Sequence, residues 1–307
     1  MSGQLLPESR PLTITGLLRT GYSFSAQVVV VNGDMVAKIY DPLYDTGFDI
    51  YDNKRDVVVL ADGDYTREAA AYEQLTSSPF AGVTPDYFGS WTIEVNTAVG
   101  DKIYARNIRL ILMEWVQGVV MSSIDALLLG RCERERIIGK VLEAESLVYA
   151  AGVWHRDVSP RNVISTSSTS SDSRVVIIDF NVSNVLRLST SRQSDFGQEE
   201  TEKTWPGRIL GPVTRFWDGL QEHEVRNWVP DGVGEANARL WRAFGEREEY
   251  VPLLRNGERD ECPRVVWEDR DKEGREVEGV AGCILMGHGD AQEDEDEDVV
   301  VFKGRCV

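Results

Sequence analysis

His155-Arg156-Asp157-Val158-Ser159-Pro160-Arg161-Asn162-Val163-Ile164, with Val175-Val176-Ile177-Ile178-Asp179-Phe180-Asn181 eleven residues further on, is the stretch that decides the fold. Asp157 lies in a polar loop, Asn162 stands five residues on where a short strand begins, and Asp179 closes a second apolar run. Two short strands around a Ser/Thr-rich tip, residues 165–173, read as a hairpin whose flanks bring Asp157, Asn162 and Asp179 together. Two carboxylates and an amide oxygen are hard donors that suit Mg²⁺, which shares its shell with phosphates and water. A metal-bound nucleotide is the natural partner. Turn capping by Asp157 and Asn162, with Asp179 a solvated strand end, would explain each residue singly but not the three together.

Upstream, Leu12 to Val31 reads as two strands joined by a turn. Asn32-Gly33 is a type I′ hairpin signal before Met35-Val36-Ala37-Lys38-Ile39-Tyr40. Alternation puts Val36 and Lys38 on one face and Ala37 and Ile39 on the other. A lysine inside an apolar strand costs several kcal/mol unless it finds an anion; the alternative is a lysine snorkelling at a strand edge. After a long, partly charged connection from Asp41 to Gly63, Asp64 is the expected N-cap of a helix containing Glu68, Tyr72 and Glu73. Glu68 and Glu73 face different directions, and Glu73 is the one expected to face solvent. A second helix is expected from Arg134 to Ala151, with Gly152 as its C-cap.

Together these residues resemble the eukaryotic protein kinases. His155-Arg156-Asp157 is similar to the catalytic-loop triplet, Asn162 to the metal-binding asparagine and Asp179-Phe180-Asn181 to the Asp-Phe-Gly triplet. Val36-Ala37-Lys38 resembles the strand whose lysine contacts the α/β-phosphates and pairs with a helix glutamate, here Glu68. Trp217, Trp228-Val229-Pro230 and Trp241-Arg242-Ala243-Phe244-Gly245 resemble, more loosely, the divergent kinase-like proteins of filamentous fungi.

The resemblance implies an α+β, protein kinase-like two-lobed fold. A small β-rich ATP-binding lobe would span residues 12–116, and a shortened, mainly helical catalytic lobe residues 117–255. It further implies ATP and Mg²⁺, with Asp157 as base, Asn162 and Asp179 on the metal, and Lys38 with Glu68 positioning phosphates. Met113 would stand at the back of the adenine site, and the backbone of Glu114 to Val116 would read the adenine edge. Gly21, Ser23 and Val28 fall in the phosphate-covering loop, which keeps only its first glycine; an ordinary hairpin turn explains that stretch as well. Arg161 would supply the cation that Ser159 cannot. Asn181 is expected to take the positive φ that glycine takes in the triplet.

The acceptor is a hydroxyl on a protein or a small molecule. No Ala-Pro-Glu triplet follows Asn181. That departure and the thinned glycine loop leave two other readings open: a pseudokinase acting as an interaction module, and a small-molecule kinase of the aminoglycoside or choline type.

Composition bounds the rest. A chain of 307 residues, 42% of them hydrophobic, can fill a sizeable core. A net charge of −18 argues against general binding to a phosphate backbone. Four cysteines without metal-ligand spacing suggest free thiols in a reducing compartment. With no apolar run of membrane-spanning length and no signal-peptide core at Met1, cytosol or nucleus is expected. From about Asn256 the charge becomes dense, and residues 256–307 are expected to form a mostly disordered tail.

Overall fold

The computed structural model of the chain describes residues 11–21, 26–45, 47, 54–80, 82–166, 174–188, 205–217, 219–220, 225, 227–229, 232–254, 263–270 and 276–280. The chain runs through β1 (Ile14–Arg19), β2 (Gln27–Val31), β3 (Met35–Tyr40) and α1 (Val57–Thr76). It returns through the long strands β4 (Tyr87–Val99) and β5 (Lys102–Glu114). These five strands form one antiparallel sheet in the order β1-β2-β3-β5-β4. Then come β6 (Val119–Val120), α2 (Arg131–Ala150), β7 (Val153–Trp154), β8 (Val163–Ser165), β9 (Val175–Ile177) and β10 (Asn184–Val185). α3 (Pro212–Phe216), α4 (Val233–Phe244), β11 (Leu253–Leu254), β12 (Arg264–Arg270) and β13 (Glu276–Val280) follow. The architecture is mixed α+β.

Alternation along β3 and β5 gives the sheet two buried faces. Val36, Tyr40, Ile111 and Met113 point into the main core, which continues through α1, α2 and α4, while Ala37, Leu110 and Leu112 form a second cluster on the opposite face. Trp91 and Ile93 of β4 partly cover that second cluster. Lys38 therefore enters the main core beside Val36, as the strand pattern requires.

Three expectations need correction. Helix α1 starts at Val57, well before Asp64, and its cap is Asp56, whose Oδ1 accepts from the Val58 and Val59 amides at 3.0 and 3.2 Å. Three consecutive valines and Gly63 are poor helix formers, but burial of Ala61, Ala69, Ala71, Tyr72 and Leu75 on one face overrides that propensity. Asp64 lies inside the helix and pairs with Arg67 at 2.6 Å. The charged tail is not wholly irregular, since β12 and β13 join β11 in an antiparallel sheet. The Val265-Val266-Trp267 run has the β-branched and aromatic residues that a strand needs, and it outweighs the charge around it. The rest of the tail, with its acidic run, lies outside the described residues. Finally, the β2–β3 turn places both Asn32 (φ 53°) and Gly33 (φ 84°) in the left-handed region, but it pairs Val31 with Met35 and so spans three residues.

Helix α2 ends on the expected glycine. Gly152 (φ 86°) follows the last helical turn and its amide donates to the Tyr149 carbonyl at 2.8 Å. The chain then reverses into β7 and the loop before β8. No helix among the described residues is long and apolar enough to cross a membrane.

Candidate functional site

β8 and β9 pair as a hairpin, Val163 opposite Ile177, and the Ile178 amide donates to the Asn162 carbonyl at 2.9 Å. This pairing sets the segment before β8 beside the segment after β9. The two flank a cavity of about 380 Å³ whose other walls come from β1, β2, β3, α1 and the end of β5. Lys38, Glu68, Asn162 and Asp179 all line it.

Lys38 is held between two carboxylates, its Nζ 2.5 Å from Glu68 Oε2 and 2.5 Å from Asp179 Oδ1. Those partners stand 30 and 141 positions away in the chain. Glu73 is exposed, so the pairing falls to Glu68. Burial pulls the Lys38 ammonium's pKa down, but the charges of Glu68 and Asp179 outweigh it and hold it above its ordinary value. Burial likewise pushes Asp179 up, and Lys38, with a smaller part from Arg19, more than reverses this. Glu68 goes the other way: burial raises it and Lys38 offsets only part. The two carboxylates on Lys38 are thus shifted in opposite directions.

In the loop before β8, Asn162 Nδ2 donates to the Asp157 carbonyl at 3.0 Å and to Asp157 Oδ2 at 2.8 Å. That leaves the Asn162 amide oxygen as its acceptor. Arg161 forks onto the Asp157 carboxylate at 2.8 and 2.9 Å and also lines the cavity. The expected cation therefore sits on the expected base. Arg156 and Asp179 both adopt positive φ, 66° and 68°, and strained residues of this kind collect at functional sites. The left-handed residue after β9 is Asp179 itself; Asn181, expected to take that role, does not. Asn181 and Val182 instead form a turn closed by a Ser183 amide to Phe180 carbonyl bond at 3.1 Å, and the Asn181 carbonyl accepts from Arg67 Nε at 2.6 Å.

His155 ties the two segments together. Its Nδ1 accepts from the Asp157 amide at 3.2 Å, so its Nε2 carries the proton and donates to the Ile178 carbonyl at 3.0 Å. The ring lies 4.6 Å from Phe180, which in turn meets Tyr72 edge-on at 5.1 Å. Burial drives the His155 pKa down, and the bond to Ile178 offsets only part. An unfolded His155 therefore binds a proton that the folded one refuses in the window just below pH 6.5. Stability present above that value is lost as pH falls, by up to about 1.4 kcal/mol per pH unit for one proton. Urea unfolding of wild type and His155→Gln across this window is expected to show the steeper acid loss in wild type. Equal slopes would remove His155 from the account.

At the far end of the cavity, Met113 is buried and its sulfur lies 3.8 Å from the Tyr72 hydroxyl. The Glu114 amide donates to the Asp86 carbonyl at 2.8 Å and the Trp115 amide to Asp34 at 3.4 Å. Val116 also lines the cavity, and Val28 forms part of its wall. Gly21 (φ 140°) is gripped by Gln27: its amide donates to Gln27 Oε1 at 2.7 Å and its carbonyl accepts from Gln27 Nε2 at 2.9 Å. Ser23 lies outside the described residues.

Several contacts were not expected. The Tyr40 hydroxyl donates to Glu68 Oε2 at 2.5 Å, fixing the same oxygen that Lys38 uses; its position two residues beyond Lys38, on the same strand face, is the signal that identifies it. Arg174 of the β8–β9 hairpin grips Glu114 with two bonds, at 2.8 and 3.0 Å, and the Gly82 and Thr84 carbonyls at 2.6 and 2.8 Å. It pins the hairpin to the end of β5, and nothing in the local sequence announces it.

Among the described residues no three His, Cys, Asp or Glu side chains gather as a cation site. Asn162 and Asp179 are nevertheless hard oxygen donors on one cavity, a set that suits Mg²⁺ shared with phosphate. No protein-family model and no curated protein sequence matches the chain.

Proposed function

We propose that the chain is an ATP- and Mg²⁺-dependent phosphotransferase with a protein kinase-like two-lobed fold, residues 12–116 forming the ATP-binding lobe and residues 117–255 the catalytic lobe. One observation carries the reading: Lys38, Glu68, Asn162 and Asp179, drawn from four separate segments, line a single cavity with Asp157 hydrogen-bonded at its edge. Ionised and amide groups from four segments converge on one space, and a nucleotide triphosphate would use each of them.

In this reading the adenine lies between Val28 and the strand end at Met113, with the Glu114 carbonyl and Val116 amide at its edge. Lys38, held by Glu68 and Tyr40, contacts the α/β-phosphates. Asn162 and Asp179 would hold Mg²⁺, which when bound offsets phosphate charge. Asp157 orients the acceptor hydroxyl and takes its proton as that oxygen bonds to the γ-phosphorus and the bond to the β-phosphate oxygen breaks. Arg161 stands beside the base to offset charge on the moving group.

The acceptor is a hydroxyl of a protein or of a small molecule, in the cytosol or nucleus. Purified protein with γ-labelled ATP and Mg²⁺, offered separate pools of proteins and of hydroxylated metabolites, should transfer label to one pool and not when Mg²⁺ is chelated. Label in the metabolite pool alone selects the aminoglycoside or choline kinase type. The grip of Gln27 on the Gly21 amide favours one second reading, a nucleotide-binding interaction module. Nucleotide binding without transfer to either pool would establish that reading instead.

A further inference from the structure

We infer that Arg19 is a triphosphate-binding residue of the nucleotide site. The inference rests on the nucleotide reading above. Arg19 is the last residue of β1 and lines the same cavity as Lys38 and Asp179. Its guanidinium stands 3.8 Å from Asp179 Oδ2, while Lys38 holds Oδ1 of the same carboxylate at 2.5 Å. Cations thus approach both oxygens of Asp179.

A phosphate-covering loop acts through backbone N–H groups that point at phosphate oxygens. Here the Gly21 amide is already committed to Gln27 Oε1 at 2.7 Å, within a two-bond grip on that residue. Of the loop's described residues, Gly21 thus offers no free amide to phosphate, whereas a cationic side chain beside it can meet that charge. A planar guanidinium with five donors matches phosphate oxygens two at a time, which a lysine cannot do. Arg19 is within reach of a bound phosphate: it borders the cavity, and its side chain is 40% exposed. With Mg²⁺ held by Asp179, Arg19 would be placed to meet a phosphate oxygen.

The test is calorimetric titration of the full chain and of Arg19→Ala and Arg19→Lys with Mg-ATP, AMP and magnesium tripolyphosphate. A charge-assisted bond to phosphate predicts about tenfold or more weaker Mg-ATP and tripolyphosphate binding in Arg19→Ala. Arg19→Lys should fall between the two, and AMP should bind all three proteins alike. Tripolyphosphate binding that depends on Arg19 in a protein indifferent to adenine would uphold the inference and reject the nucleotide reading. Mg-ATP binding equal in wild type and Arg19→Ala would do the reverse. Wild type that binds neither ATP nor tripolyphosphate overturns both.

Discussion

Asp157→Asn is expected to reduce phosphoryl transfer by on the order of 10²–10⁴-fold while leaving Mg-ATP affinity close to that of wild type. Asparagine keeps the size of the side chain and one oxygen, which at the Oδ2 position still accepts from Asn162 Nδ2 at 2.8 Å and from Arg161 at 2.9 Å, while the second Arg161 bond and the capacity to take a proton are lost. Arg161→Ala probes the same centre from the other side. Because Arg161 forks onto both Asp157 oxygens, its removal frees the base from its cation and strips charge from beside the transferring group, at a cost of about 10²-fold in turnover. Single-turnover transfer, measured beside nucleotide titration, separates the chemical step from binding. Undiminished transfer by Asp157→Asn would remove that residue from the chemistry.

The second large effect concerns stability and lies away from the cavity. Glu145 of α2 and Arg215 of α3 form a two-bonded pair, with side chains only 3% and 4% exposed, and the guanidinium lies 3.6 Å from the Tyr149 ring centre. Two charges taken out of water in this way depend on each other, and removing one leaves the other desolvated without compensation. Glu145→Ala should therefore lower unfolding free energy by about 3–5 kcal/mol, a fall in Tm of roughly 10 °C for a chain of this size. Replacing both members by apolar residues of similar volume, Glu145→Leu with Arg215→Met, should recover most of the loss, because no buried charge then remains. Thermal unfolding of the two single variants and the double variant decides the matter. Singles that melt like wild type would show that water reaches the pair.

How much of this is legible in the sequence depends on the range over which each feature is encoded. Lys38 could be placed because its strand neighbours fix its face by simple alternation, and Glu68 because the resemblance puts the paired glutamate there while Glu73, one turn and a third further on, faces another direction. The loop from His155 to Asn162 was legible because its chemistry is packed into eight residues. The start of α1 was not. Val57-Val58-Val59 and Gly63 speak locally against a helix, and only the buried face formed with the sheet decides for one. Asn181 misled because the residue type most tolerant of positive φ is not the one that turns; the constraint comes from Lys38 and Arg19 holding the Asp179 side chain and from Arg67 drawing on the Asn181 carbonyl. Arg174 is the extreme case. It reaches Glu114 across 60 positions and two carbonyls about 90 positions away, a contact no local pattern can carry.

The central claim is that Asp179 belongs to a metal-dependent nucleotide site and is not simply the partner of Lys38. Its most direct test is calorimetric titration of ATP into wild type and Asp179→Asn, each with and without Mg²⁺. Asparagine can still accept a bond from Lys38 but carries no charge for a cation. Wild type should bind ATP more tightly when Mg²⁺ is present, and Asp179→Asn should lose that dependence. An equal gain from Mg²⁺ in both proteins, or no ATP binding by wild type under either condition, would contradict the account.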